Sequence, residues 1–365
     1  MSSSAKKISI LFPISLILYE LPLYLANNIF LPALPLVKDS FRVSNATAQL
    51  SVALWFLGAS TLQVILGPLS DHYGRKKVLL SGGLIFLLAT LVCATTTSIT
   101  WFLACRFMQG CVASTILVTG YAIIHELLDT KSAIKTISWM GSITLMAPAV
   151  GPMLGSLLLS VMHWRGLFVI LIVMASLSLI LLYIFMPQDK RNKPENLKIK
   201  TIIQDYRSIV TSAYFWIYTL AFSVLFAALM AWNTISPFYL VSYLKLSLLN
   251  FGLLQMLFYG VFIIGVNINS LLKFPLDQII HHGLVFSAGF LFFSLMTLLY
   301  LPHQLLIVMT SLLLFALSTG VILYSLNRVA IEIPKAPMGT VTAVFATTLN
   351  LFAFLGSLSV RWLHF

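Results

Sequence analysis

The sequence predicts an all-α membrane protein made of two helical bundles with about eleven transmembrane helices. Three observations predict it. Charged residues make up only 9% of the chain and hydrophobic ones 59%, whereas soluble domains carry roughly 25% charged residues. Mean hydropathy is +0.99, too high for a chain of 365 residues to hide its apolar surface from water. The basic residues fall in short clusters between apolar runs, such as Arg75-Lys76-Lys77 and the stretch from Lys190 to Lys200. The formal net charge of +12 therefore reads as membrane topology. A nucleic-acid partner is not expected, because it would need one contiguous basic surface.

A helix needs about 20 apolar residues to cross a hydrocarbon core of ~30 Å. That window places spans near 8–34, 46–70, 77–97, 99–127, 133–162 and 164–187, then near 214–241, 249–272, 278–301, 304–327 and 339–363. The first follows Lys6-Lys7, as a secretory leader would. It runs to about Leu36 with no small-residue cleavage site, and so reads as a span. The polar segment 188–212 divides an N-terminal six-helix bundle, 1–187, from a C-terminal five-helix bundle, 213–365. Within this linker, TIIQDYRSIV repeats apolar residues at helical spacing, the pattern of a short interfacial helix.

Orientation follows from lysine and arginine asymmetry. With a cytoplasmic N-terminus, the inside segments hold Lys6, Lys7, Arg75, Lys76, Lys77, Lys131, Lys135, the basic residues of the linker, Lys273, Arg328 and Lys335. The outside segments hold only Lys38, Arg42, Arg165, Lys245 and Arg361. Cys93, Cys105 and Cys111 lie inside apolar stretches without a CxxC pair, and no helical HxxxH pair occurs. Neither a disulfide framework nor a metal site is expected, nor any other cofactor. No Walker-type lysine motif is present, which argues against an ATP-driven pump, and no enzymatic activity is expected.

Glu20 lies about twelve residues into the first span, roughly 18 Å along a helix and so near the bilayer middle. An ionised group there costs at least ~2.5 kcal/mol, so the residue is expected to be functional. Loss of water disfavours an ionised carboxyl, which suits reversible proton binding. Arg106, about eight residues into the fourth span, cannot lose its charge and must face the bundle interior. Glu20 is its remaining intramembrane acidic partner, unless backbone carbonyls or water suffice. Tyr24, Asn27, Asn28, Gln109, Tyr121, Trp232, Asn233 and Tyr239 combine aromatic faces with amides, which suits a cavity for lipophilic small molecules. The alternative for the aromatics is a lipid-facing or interfacial position.

Three motifs carry a resemblance. After the second span the chain reads Gly67-Pro68-Leu69-Ser70-Asp71-His72-Tyr73-Gly74-Arg75-Lys76-Lys77, which resembles the loop signature of the major facilitator superfamily. The fourth span carries Arg106-Phe107-Met108-Gln109-Gly110, similar to that family's RxxQG motif. The fifth carries Pro148, Gly151, Pro152 and Gly155, similar to the motif of drug/proton antiporters. The first helix resembles multidrug pumps of the Bcr/CflA group.

The resemblance implies a fold of twelve helices around a central cavity that opens alternately to each side. It implies a monomer in a bacterial inner membrane that exports lipophilic neutral or cationic compounds in exchange for protons. Glu20 and Arg106 would couple protons. Gly67, Asp71, Gly74, Arg75 and Lys76, joined by Glu126, would form a conformational latch between the bundles. Two departures stand out: the sequence ends after its eleventh span, so the twelfth helix is expected to be absent, and Asn28 stands where those pumps carry a second acid. The departures keep two other readings open, a metabolite carrier not coupled to protons and a non-transporting paralogue.

Overall fold

A computed structural model of the chain describes residues 11–187, 199–332, 334 and 336–363. Lys6-Lys7, the linker stretch 188–198 and Lys335 lie outside the described residues. The described chain is helical with no strands. Its first half contains α1 (Leu11–Asn28), α2 (Leu34–Phe41), α3 (Asn45–Tyr73), α4 (Arg75–Thr95), α5 (Ile99–Thr115), α6 (Tyr121–Leu127), α7 (Thr130–Leu159) and α8 (Arg165–Phe185). The linker forms α9 (Ile199–Val210). The second half contains α10 (Ala213–Pro237), α11 (Leu248–Leu271), α12 (Leu276–Tyr300), α13 (Leu305–Glu332) and α14 (Met338–Ser359).

Among the described residues, eleven segments are long and apolar enough to cross a membrane. Lipid offers no hydrogen bonds, so each must satisfy its own backbone, and helices do so. The first span is α1 and α2 joined by a 3-10 turn, Leu31–Ala33; it runs to Phe41, past the expected end near 34. The fourth joins α5 to α6 through a π-turn, Ile116–Gly120, and the seventh ends in another, Phe238–Tyr243.

The two halves repeat one architecture. Span 2 packs on span 4, span 3 on span 4 and span 1 on span 5; likewise span 8 packs on 10, 9 on 10 and 7 on 11. The repeat reaches single residues. Arg42 and Lys245 both take left-handed backbone after spans 1 and 7, at φ 53° and 57°. Two residues on, Ser44 and Ser247 each cap the next helix by accepting a backbone N–H.

Glycines set the closest contacts. A Cβ on Gly58 would lie 2.1 Å from the Phe107 carbonyl oxygen, and one on Gly110 would lie 1.9 Å from that of Trp55. Gly265 and Gly320 reproduce this reciprocal pair between α11 and α13, at 2.3 Å from Leu317 O and 2.2 Å from Phe262 O. Small residues let helix backbones touch, the main attraction available between helices in lipid.

Among the described residues the halves meet chiefly along two seams, α3 on α14 and α7 on α11. In the first seam Asn350 Nδ2 donates to Gln63 Oε1 at 3.1 Å. In the second, Gly252 leaves room for Met153 and Ser156.

Candidate functional site

A cavity of about 440 Å³ lies between the bundles. Its first-bundle wall includes Tyr24, Asn27, Asn28, Gln63, Tyr121, Thr144 and Pro148; its second-bundle wall includes Met230, Asn233, Tyr259, Tyr324, Asn327 and Asn350. It extends to Ile331 and Thr342, at the end of the molecule that carries Asp71 and Gly74. At the opposite end, α7 packs on α11 and the Leu31–Ala33 turn packs on α10. A larger cavity of about 540 Å³ is lined only by second-bundle residues, among them His282 and Ser318, and none of the sequence-derived site residues reaches it.

Glu20 is fully buried, just behind the central cavity wall. The Thr144 hydroxyl donates to Glu20 Oε1 at 3.2 Å, and Oε2 has no hydrogen-bond partner among the described residues. Thr144 itself lines the cavity, and Tyr24 and Tyr121 lie within electrostatic reach of the carboxyl. The helical donor for the Thr144 carbonyl would be the N–H of residue 148, but residue 148 is proline. The turn of α7 that holds Glu20 is therefore loosened from within.

Arg106 does not pair with Glu20. Neutral acceptors surround its guanidinium: Nη2 donates to Asn27 Oδ1 at 2.6 Å, Nη1 to Gln109 Oε1 at 2.8 Å and to Ala26 O at 3.2 Å, and Nε to Ser51 O at 3.1 Å. The Phe30 ring lies 4.8 Å away under the cation. Gln109 then donates to Thr90 Oγ1, and Thr90 to Phe86 O, so the network closes. Carbonyl and amide dipoles thus do the work expected of an acid. Arg106→Met should leave these buried acceptors without donors and destabilise the folded protein by on the order of 3 kcal/mol. A drop in the melting temperature of the purified protein checks it; an unchanged melting temperature counts against the network.

The signature loop turns on Gly74, whose φ of 93° favours glycine. Arg75 joins Asp71 at 3.2 Å and also Glu126, tying α3 and α4 to α6 within the first bundle. Lys76 donates to the carbonyls of Tyr183 at 2.8 Å and Met186 at 2.6 Å, a cationic cap on the C-terminal end of α8. Gly67 sits in the last turns of α3, where a Cβ would make only an ordinary contact, 3.9 Å from Val118 Cγ1.

On α7, a Cβ at Gly151 would lie 2.6 Å from Asn28 Cβ, and one at Gly155 would lie 2.1 Å from Ile29 O. These glycines let α7 press on the break that ends α1, and Asn28 comes to the cavity wall at that point. Its amide nitrogen donates to Tyr24 O at 2.9 Å. Pro148 lines the cavity, while Pro152 is buried.

Five expected cavity residues line it: Tyr24, Asn27, Asn28, Tyr121 and Asn233. Gln109, Trp232 and Tyr239 are buried away from its wall. Gln109 serves Arg106, Trp232 Nε1 donates to Gln255 Oε1 at 3.1 Å, and Tyr239 donates to Pro302 O at 2.8 Å. Thr144, Gln63, Asn327 and Asn350 were missed. All four are uncharged polar residues inside apolar runs, which was the available signal.

The model of the Major Facilitator Superfamily matches residues 16–357. The Chloramphenicol resistance protein CraA of Acinetobacter baumannii is 33% identical, covering 100% of this chain and 88% of its own length. The Multidrug resistance protein MdtM of Salmonella typhimurium is 32% identical, over 99% and 88%. The Multidrug transporter MdfA of Yersinia pestis is 32% identical, over 95% and 86%. Among solved structures, a bacterial homolog of the human lysosomal transporter Spinster superposes with a TM-score of 0.76 at 14% identity, covering 98% of this chain and 82% of that one. A D-xylose-proton symporter superposes at 0.74 and 15% identity, covering 97% and 90%.

Proposed function

Because the chain belongs to the Major Facilitator Superfamily, we propose that its central cavity exports lipophilic neutral or cationic small molecules in exchange for protons. Relatives named as multidrug and chloramphenicol resistance proteins support a drug transporter. The observation that carries the proton part is the junction of Glu20 and Thr144 at the cavity wall. A ligand that displaces Thr144, or a movement of α7 at its proline-loosened turn, changes the setting of the carboxyl directly. Protonation of Glu20 and occupation of the cavity then compete. The protonated state lets the bundles reorient; the ionised state holds the ligand.

The proposed setting is a bacterial inner membrane, with the N-terminus and the signature loop in the cytoplasm, as the basic residues of that face favour. The pump would work as a monomer, with the Arg75 cluster as a conformational latch on that face. Asn28, neutral at the cavity wall, favours a second reading: a carrier of the same fold without proton coupling.

Everted membrane vesicles separate the two. Under an imposed proton gradient, adding tetraphenylphosphonium or chloramphenicol should release protons from the vesicle interior, read by a pH-sensitive dye. Uptake of the compound without proton movement would establish the uncoupled carrier instead.

A further inference from the structure

We propose that Tyr206, on the linker helix, is a positioning residue that clasps the two bundles together when the cavity opens toward the signature loop. The inference goes beyond the transport reading but rests on its premise that the bundles move against each other.

The clasp begins with a proline. In α3 the helical donor for the Val64 carbonyl is the N–H of residue 68, and Pro68 of the signature motif has none. A carbonyl left without a donor in an apolar setting is costly. The Tyr206 hydroxyl donates to Val64 O at 3.1 Å. The same remedy recurs in α10, where Pro237 frees the Asn233 carbonyl and the Ser236 hydroxyl donates to it at 3.3 Å. Burial raises the Tyr206 phenol above its ordinary pKa, so it stays a donor at physiological pH.

This bond crosses between the bundles. Helix α9 packs on α10 and α14, both of the second bundle. Ile209 is fully buried, and Trp216 Nε1 of α10 donates to Val210 O at 2.8 Å, fastening the end of α9 to the helix that follows it. Tyr206 reaches from this second-bundle assembly to α3 of the first. Its acceptor is the residue next to Gln63, which takes the Asn350 hydrogen bond across the same seam. When the bundles rock, the Tyr206 bond or the packing of α9 must yield.

The test is a distance measurement by pulsed electron paramagnetic resonance on the full-length protein in lipid. Spin labels sit at Lys77 and Met338, both exposed, with the native cysteines replaced. Tyr206→Phe should lower the ratio of the long-distance to the short-distance population about fivefold, the weight of one hydrogen bond. Pro68→Ala returns an N–H to the Val64 carbonyl, so Tyr206→Phe should shift nothing further in that background. Two populations that Tyr206→Phe leaves unmoved would overturn the clasp alone, as would an equal shift with and without Pro68. One fixed distance in the unmodified protein would overturn the premise of moving bundles and the clasp with it.

Discussion

Glu20→Gln is expected to leave a folded protein in which export no longer depends on the proton gradient. Glutamine matches the shape of the protonated acid, and the Thr144 hydroxyl can still donate to its carbonyl oxygen. What the amide cannot do is release a proton. The variant is thus fixed in the form that the account assigns to the reorienting, ligand-free step. Cationic compounds lose an attraction on the order of 4 kcal/mol before desolvation is subtracted, so their affinity should fall at least tenfold. Neutral compounds lose no such attraction and should still bind. Drug-induced proton movement in everted vesicles should vanish for both classes. Gradient-driven export retained by Glu20→Gln would remove this residue from coupling.

Gly110→Leu should abolish folding of the first bundle. The Cβ alone would lie 1.9 Å from the Trp55 carbonyl oxygen and 2.7 Å from its carbon. Helices α3 and α5 would have to separate by about 1 Å merely to accept alanine, losing dispersion contacts along their length. Leucine adds three more carbons to a space that does not exist. The reciprocal glycine, Gly58, cannot give way, because it rests on Phe107 O in the same manner. Gly289, where a Cβ would meet no described neighbour within 4 Å, provides the control: Gly289→Leu should fold normally. Size-exclusion profiles of fluorescently tagged variants read the difference. A monodisperse Gly110→Leu protein would show that the α3–α5 contact is not required for folding.

Hydropathy alone made the spans legible, because lipid imposes one requirement on every residue of a crossing helix. All eleven expected windows overlap an observed segment, and the linker helix lies where its apolar spacing placed it. The end of the first span was misplaced because Lys38 and Asp39 break the apolar run while the backbone continues as α2. The two π-turns left no mark, since an extra residue in one turn does not alter which residue types lipid accepts.

At the site, residue type identified the polar inventory but not the direction each side chain faces. Asn233 lines the cavity while its neighbour Trp232 turns to Gln255, about 100° around the same helix. Gln109 looked like a ligand contact and is instead an acceptor for Arg106. The Arg106–Glu20 pairing left open by the sequence failed for a similar reason: carbonyls of α1 and α3 are invisible in a list of side chains, yet they receive the guanidinium. The internal repeat emerges from helix packing and reciprocal glycine contacts, which residue type alone does not specify.

The most direct measurement counts protons. Purified protein in weakly buffered detergent, titrated with tetraphenylphosphonium, should release close to one proton per molecule bound, and Glu20→Gln should release none. Equal release from both proteins, or none from the unmodified one, would contradict an exchange centred on that carboxyl.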